Sequence, residues 1–141
     1  MPGRRTREAI VPCFDSWLDR RTGFLTFRIT QFLTGHGYFG SYLYRIQREE
    51  TPVCRYCELD IDTAEHTLEA CDYWSLEQSE LTAVVGQNLS LPVLVGAMCA
   101  SREAWDAFAM FAERVLRKKE ENERGRQQEI LEGNAANAPL P

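Results

Sequence analysis

The chain has 141 residues, of which 44% are apolar and 26% charged, with a formal net charge of −5. These values fit an ordinary globular protein of one domain with tails, long enough to bury a sizeable core. They exclude a disordered acidic tail, and no apolar run reaches the eighteen or so residues that a membrane helix requires. The charge is uneven: residues 1–50 carry eight Arg against five acids, and residues 51–141 carry eight Lys or Arg against sixteen acids. Only the first third therefore offers the basic surface that phosphate contacts demand.

In chain order, residues 1–8 read as a flexible basic N-terminus without a signal-type apolar stretch. Ile10, Phe14, Trp17 and Leu18 are spaced for one helix face, with Pro12 in the first turn and Thr22-Gly23 as the stop. Leu25, Ile29, Phe32 and Leu33 form a second face. Gly35-His36-Gly37 breaks it, and Phe39, Tyr42, Leu43 and Ile46 form a third, so residues 9–50 predict an apolar, aromatic helical hairpin. Phe32, Phe39 and Tyr42 are expected in the core, and His36, which could assist nucleic-acid or metal contact, is read as a structural turn residue.

Residues 51–74 hold the most specific pattern: Cys54, Cys57, His66 and Cys71, spaced C-x2-C-x8-H-x4-C. Three thiols and one imidazole can close a tetrahedral shell around one zinc ion. Buried structural cysteines are the bland alternative, but Glu49, Glu50, Glu58 and Asp60 around the first pair mark a polar surface loop. A redox C-x-x-C needs a strand before it and a helix directly after it, and Pro52 and the Glu58–Asp62 loop argue against both. Asp62-Thr63-Ala64-Glu65 reads as a capping box, with Asp62 as N-cap and His66 in the first turns of the helix that follows. Such a closed site is structural rather than catalytic, and it would stabilise the fold by on the order of 10 kcal/mol.

Beyond the knuckle, residues 75–117 predict helices. Leu76, Leu81 and Val84-Val85 belong to one ending at Gly86, and Ser90-Leu91-Pro92 opens another through Met98. Ser101 caps a third, with Trp105, Phe108, Phe111, Ala112, Val115 and Leu116 as its buried stripe. Residues 118–141 read as a charged, solvated helix with a loose end from Asn134. The expected fold class is all-α, a small helical domain with one structural CCHC zinc knuckle.

Arg45, Arg48, Arg55, Tyr56, Tyr38 and Tyr44 are the candidate nucleic-acid contacts, because exposed aromatics with arginine suit stacking and phosphate contact. Arg55 and Tyr56 lie between the first two ligands, where a knuckle presents its tip. Gly35-His-Gly-Tyr-Phe-Gly40 mimics a dinucleotide fingerprint, but the segment before it has helical rather than strand period. Cys13 and Cys99 occupy apolar positions and are expected to be buried and inert. No paired-carboxylate polymerase or nuclease set is present, and no Cys-His nucleophile remains once His66 binds metal.

The ordered set Ile29-Thr-Gln-Phe-Leu-Thr-Gly-His-Gly-Tyr-Phe-Gly40, Tyr42-Leu-Tyr-Arg45, the C-x2-C pair, Asp62-Thr-Ala-Glu-His-Thr-Leu68 and Cys71 resembles the C-terminal region of arthropod non-LTR retrotransposon polyproteins. The type-1 elements that insert into ribosomal RNA genes are the nearest group. The resemblance spans roughly residues 10–120 and implies a parent with a reverse transcriptase and an apurinic-type endonuclease for target-primed integration. It implies a zinc-binding, nucleic-acid-binding segment with template RNA or target DNA as partner, inside the cell, in nucleus or cytoplasm. The alternatives are a protein-interaction module docking onto the polymerase through the acidic second half, and a non-functional remnant.

Overall fold

The computed structural model describes residues 3–20 and 23–136. Seven α-helices run through them: α1 Arg4–Ile10, α2 Phe14–Asp19, α3 Phe27–Thr34, α4 Gly40–Arg45, α5 Ser75–Val85, α6 Leu91–Ala100 and α7 Arg102–Ala136. Among the described residues there is no strand, only an isolated antiparallel bridge between Val53 and Ile61, so the fold is all-α. No helix there is long and apolar enough to cross a membrane.

Helix α7 is the organising element. Its 35 residues extend for about 52 Å, far beyond an average helix. The Ser101 hydroxyl accepts from the Ala104 amide at 3.2 Å, as a helix cap does. Trp105, Phe108, Phe111, Ala112, Val115 and Leu116 are all buried, and α3, α5 and α6 pack against this stripe. Phe32 of α3 meets Phe39, Phe108 and Phe111 at centroid distances of 5.3, 5.5 and 5.7 Å. These rings meet edge-on or tilted, the arrangement that the ring quadrupole favours. Leu91, Leu94, Val95 and Met98 of α6 complete the core from the other side, with α1 packed outside them.

The N-terminal segment departs from the expected single helix. Arg4–Ile10 is already helical, and a 3₁₀ turn at Val11–Cys13, carrying Pro12, separates it from α2. Proline removes an amide and crowds the preceding turn, so it breaks the helix here rather than starting it. Within the stretch read as flexible, Arg5 donates to the Phe32 carbonyl at 3.0 Å and pairs with Glu65. Phe14 and Leu18, expected on a buried face, are 50% and 63% exposed, and of that stripe only Ile10 and Trp17 pack on the core.

Trp17 lies 5.6 Å from Trp105, whose indole N–H donates to the Phe24 carbonyl at 3.0 Å. Gly23 is pressed against that same indole: a Cβ built there would stand 2.5 Å from Trp105 Cδ2, at a φ of +92°. Gly23→Ala combines overpacking with a left-handed backbone, and is expected to cost roughly 3 kcal/mol. Urea unfolding checks this, and a midpoint equal to wild type would show that the strand of chain before α3 can shift off Trp105.

The later helices follow expectation. Helix α5 ends at Gly86, and α6 opens after Ser90 with Pro92 in its first turn. The charged tract from Lys118 does not behave as a solvated face throughout, since Lys119 and Glu123 are 2% and 1% exposed. They lie under the cysteine loop. The loose end expected from Asn134 is helical up to Ala136, and residues 137–141 lie outside the described residues.

Candidate metal centre

Cys54, Cys57, His66 and Cys71 come together, with their ligand atoms all within 4.8 Å of one another. Cys54 Sγ and Cys71 Sγ are 3.9 Å apart, and Cys57 Sγ lies 3.3 Å from His66 Nε2. A tetrahedral metal with bonds of about 2.3 Å to sulfur and about 2.0 Å to nitrogen has edges of about 3.8 Å and about 3.5 Å. The four donors therefore fit one ion. Burial pushes the Cys71 thiol up to about 12, whereas backbone amides at Leu59 and Asp60 draw Cys57 down, with the Leu59 contact the larger. A bound ion overrides both, because a coordinating thiol gives up its proton to the metal.

The loop that carries the first pair is a tight hairpin. Cys54 N donates to the Asp60 carbonyl at 2.7 Å, Glu58 N donates back to the Cys54 carbonyl at 2.9 Å, and Asp62 N donates to the Pro52 carbonyl at 2.9 Å. Glu58 takes the left-handed conformation, φ +60°, at the turn.

The second pair is set by an unusual helix. Thr63, not Asp62, is the cap: its hydroxyl accepts from His66 N at 3.0 Å. Residues His66–Ala70 then form a π-helical turn in which Cys71 N donates to the His66 carbonyl at 2.8 Å. In an α-helix a residue five positions on lies about 140° around the axis. The i→i+5 closure of a π turn brings it back beneath the first residue. That is how His66 and Cys71 share one face. Gln78 of α5 holds the turn closed, its Nε2 donating to the carbonyls of Thr67 and Cys71 at 3.0 Å each.

Asp62, released from capping, is the hub beneath the loop. Its carboxylate accepts from Gly40 N at 3.0 Å and from Lys119 Nζ at 2.6 Å, and the Thr67 hydroxyl stands 3.2 Å away. The approach is close enough that a Cβ on Gly40 would meet the Pro52 carbonyl at 3.0 Å and Asp62 Cβ at 3.1 Å. Lys119 also stands over the rings of Phe39 and Tyr56, 5.4 and 5.2 Å from their centroids. Neither Lys119 nor Gln78 is marked by any local motif. In the sequence Lys119 lies inside a charged tract that reads as solvent-facing.

The candidate nucleic-acid contacts divide. Tyr56 is not free to stack a base: its hydroxyl accepts from Asn122 at 3.1 Å, and its ring is wedged against Tyr73 and Trp74, at 4.7 and 5.1 Å. Burial accordingly pushes its phenol above the ordinary range. Arg55 is held by Glu49, with contacts of 2.9 and 2.5 Å. Burial raises the Glu49 carboxyl, against the pull of Arg55 and with a further push from Glu123 beside it. Tyr38 is half-buried. Tyr44, Arg45 and Arg48 remain exposed together at α4 and its end.

Tyr42, expected in the core with Phe32 and Phe39, is only half-buried, and His36 is exposed and stacked on it. The segment before Gly35 is helix α3, so the glycine pattern there forms an interhelical turn and not a dinucleotide loop. Cys13 and Cys99 are half-buried rather than buried, and burial together with the neighbouring Cys13 raises the Cys99 thiol.

Compared with protein families, curated proteins and solved structures, the chain matches none of them.

Proposed function

We propose that the chain is a zinc-stapled nucleic-acid-binding module with no bond chemistry of its own. Zinc is the metal best suited to three thiolates and one imidazole in a closed tetrahedron, and a site with all four positions filled by protein has no place for an activated water. The observation that carries the reading is the coupling of this centre to α4. Asp62, at the end of the cysteine hairpin, accepts from Gly40 N and gives its carbonyl to Ser41 N at 3.0 Å, so the metal loop fixes the start of α4. That helix and the turn after it present Tyr44, Arg45 and Arg48, and neither arginine has a carboxylate partner among the described residues.

The resemblance to type-1 non-LTR retrotransposon polyproteins supports the same reading, with template RNA or target DNA held beside a reverse transcriptase, in nucleus or cytoplasm. A salt titration of binding to a labelled single-stranded RNA and its DNA counterpart tests it. With about three phosphate contacts, log affinity is expected to fall with log salt at a slope of about −2. No measurable affinity at low salt would overturn the proposal.

A second reading has its own observation. Val11, Phe14, Leu18, Phe24 and Phe27 are 50–82% exposed within one short stretch, and an apolar surface of that kind suits docking onto a protein such as the parent polymerase. Docking alone predicts no RNA affinity, so the same titration separates the two.

A further inference from the structure

The geometry points to a base-stacking seat: the outer face of His36, in the groove between α1 and the turn joining α3 to α4, takes one unpaired base of a single-stranded nucleic acid. The inference rests on the nucleic-acid reading and names where on the surface, and on which form of nucleic acid, it acts.

The seat is built from the chain upward. Helix α3 ends at Gly35, and His36 is held just beyond it by its own amide, which donates to Thr34 Oγ1 at 3.2 Å. Its ring lies flat on Tyr42, with centroids 4.7 Å apart and planes within 15°. Arg45, one helical turn after Tyr42, stands over the Tyr42 ring at 5.2 Å and reaches His36 Nε2 at 3.1 Å. A guanidinium only donates, so in this contact Nε2 is the acceptor.

The ring is thus fixed on one face and at one edge while the residue as a whole is exposed. A fixed aromatic plane with a free face is what unpaired bases stack on, and its order is already established before the ligand arrives. Bases inside a duplex have no free face to offer, which selects single strands.

The surroundings suit a phosphodiester. The groove encloses about 970 Å³, lined by Arg4, Arg5, His36, Tyr42, Arg45 and Glu65 among others, ample for a nucleotide. Arg4 is paired with Glu8 and Arg5 with Glu65, so both acids on this wall are neutralised locally. Arg45 has no such partner among the described residues and remains available to a phosphate at the edge of the stacked base. The seat exists because the turn lays the His36 ring on that of Tyr42.

The test is fluorescence anisotropy with a labelled twelve-residue single-stranded RNA of mixed sequence, and with the same sequence as a duplex, on zinc-loaded full chain. His36→Ala is expected to weaken single-strand binding roughly tenfold, while His36→Phe, which keeps a stacking face without ring nitrogens, stays within about threefold of wild type. Duplex binding should be unchanged in both. Arg45→Ala should weaken binding and reduce the salt slope by about 0.7, as for one phosphate contact on a single strand.

Wild-type binding that His36→Ala leaves intact would overturn the seat and leave the nucleic-acid reading standing. His36→Phe binding as weakly as His36→Ala would overturn stacking as the mechanism. A wild-type chain that binds no RNA would overturn both.

Discussion

Removing the metal is expected to release residues 51–74 while the helical core stays folded. The prediction follows from what holds each part. The cysteine hairpin has few apolar contacts of its own: Val53, Leu59 and Ile61 are 37%, 83% and 45% exposed. Without an ion its three sulfurs and imidazole are joined only by the weak Cys54–Cys71 and Cys57–His66 contacts, and the buried Cys71 thiol keeps its proton. Zinc in small modules supplies on the order of 10 kcal/mol of folding free energy, and at the proposed site most of that would act on this segment.

The core around Phe32, Phe108 and Phe111, by contrast, is closed chiefly by α3, α5, α6 and α7, and residues 51–74 add Cys54, Ala64, Leu68, Cys71 and Trp74 to it. Hydrogen exchange on chelated protein, or on Cys57→Ser, should therefore show lost protection at Cys54, Glu58, Asp62 and Cys71. Protection should persist at Ile29–Leu33 and Phe108–Val115. Affinity for the metal should fall as pH is lowered, because ligand protons compete with the ion. Unchanged exchange and an unchanged melting temperature with chelator present would show that the loop stands on its hydrogen bonds alone.

How far the sequence reveals this arrangement depends on the range of the physics involved. The helices α5, α6 and α7 announce themselves through local signals: Gly86 and Ser90-Leu91-Pro92 punctuate the chain, Ser101 caps, and the Trp105–Leu116 stripe has helical period. The four ligands are equally legible, since cysteine and histidine at knuckle spacing have few other uses.

What resists reading is set by long-range contact. Asp62 and Thr63 are both good caps, and what decides between them is Lys119, 57 positions away, which claims the Asp62 carboxylate. The π turn at His66–Ala70 has no propensity signature, and it is closed from a distance by Gln78. Tyr56 looks like a fingertip in a knuckle and becomes a wedge because Asn122, Tyr73 and Trp74 surround it. The N-terminal stripe fails for a different reason. Phe14 and Leu18 have the right spacing for a buried face, but among the described residues no element covers them.

Lys119→Met is expected to destabilise the protein by about 3–5 kcal/mol, the range for removing one partner of a buried ion pair. The side chain is 2% exposed and its Nζ sits 2.6 Å from Asp62, itself 5% exposed. Methionine matches the volume, so the loss is not a cavity effect. It is the cost of leaving the Asp62 carboxylate buried with only the Gly40 amide and the Thr67 hydroxyl for company. The attraction of the ammonium to the faces of Phe39 and Tyr56 is lost as well, worth about 1 kcal/mol.

Asp62→Asn should cost a similar amount from the other side, since it strands the lysine. The double variant should recover part of the loss, because no charge is then left unpaired. Recovery stays incomplete because asparagine can turn only one oxygen toward Gly40, Thr67 and the helix. Urea unfolding of the four proteins gives the coupling, and competition with a chromophoric chelator gives the metal affinity of each. Since Asp62 ends the cysteine hairpin and begins the turn bearing His66, both single variants should also bind metal more weakly than wild type. A single variant within 1 kcal/mol of wild type and with undiminished metal affinity would mean that water reaches Asp62, and that the metal loop is independent of the long helix.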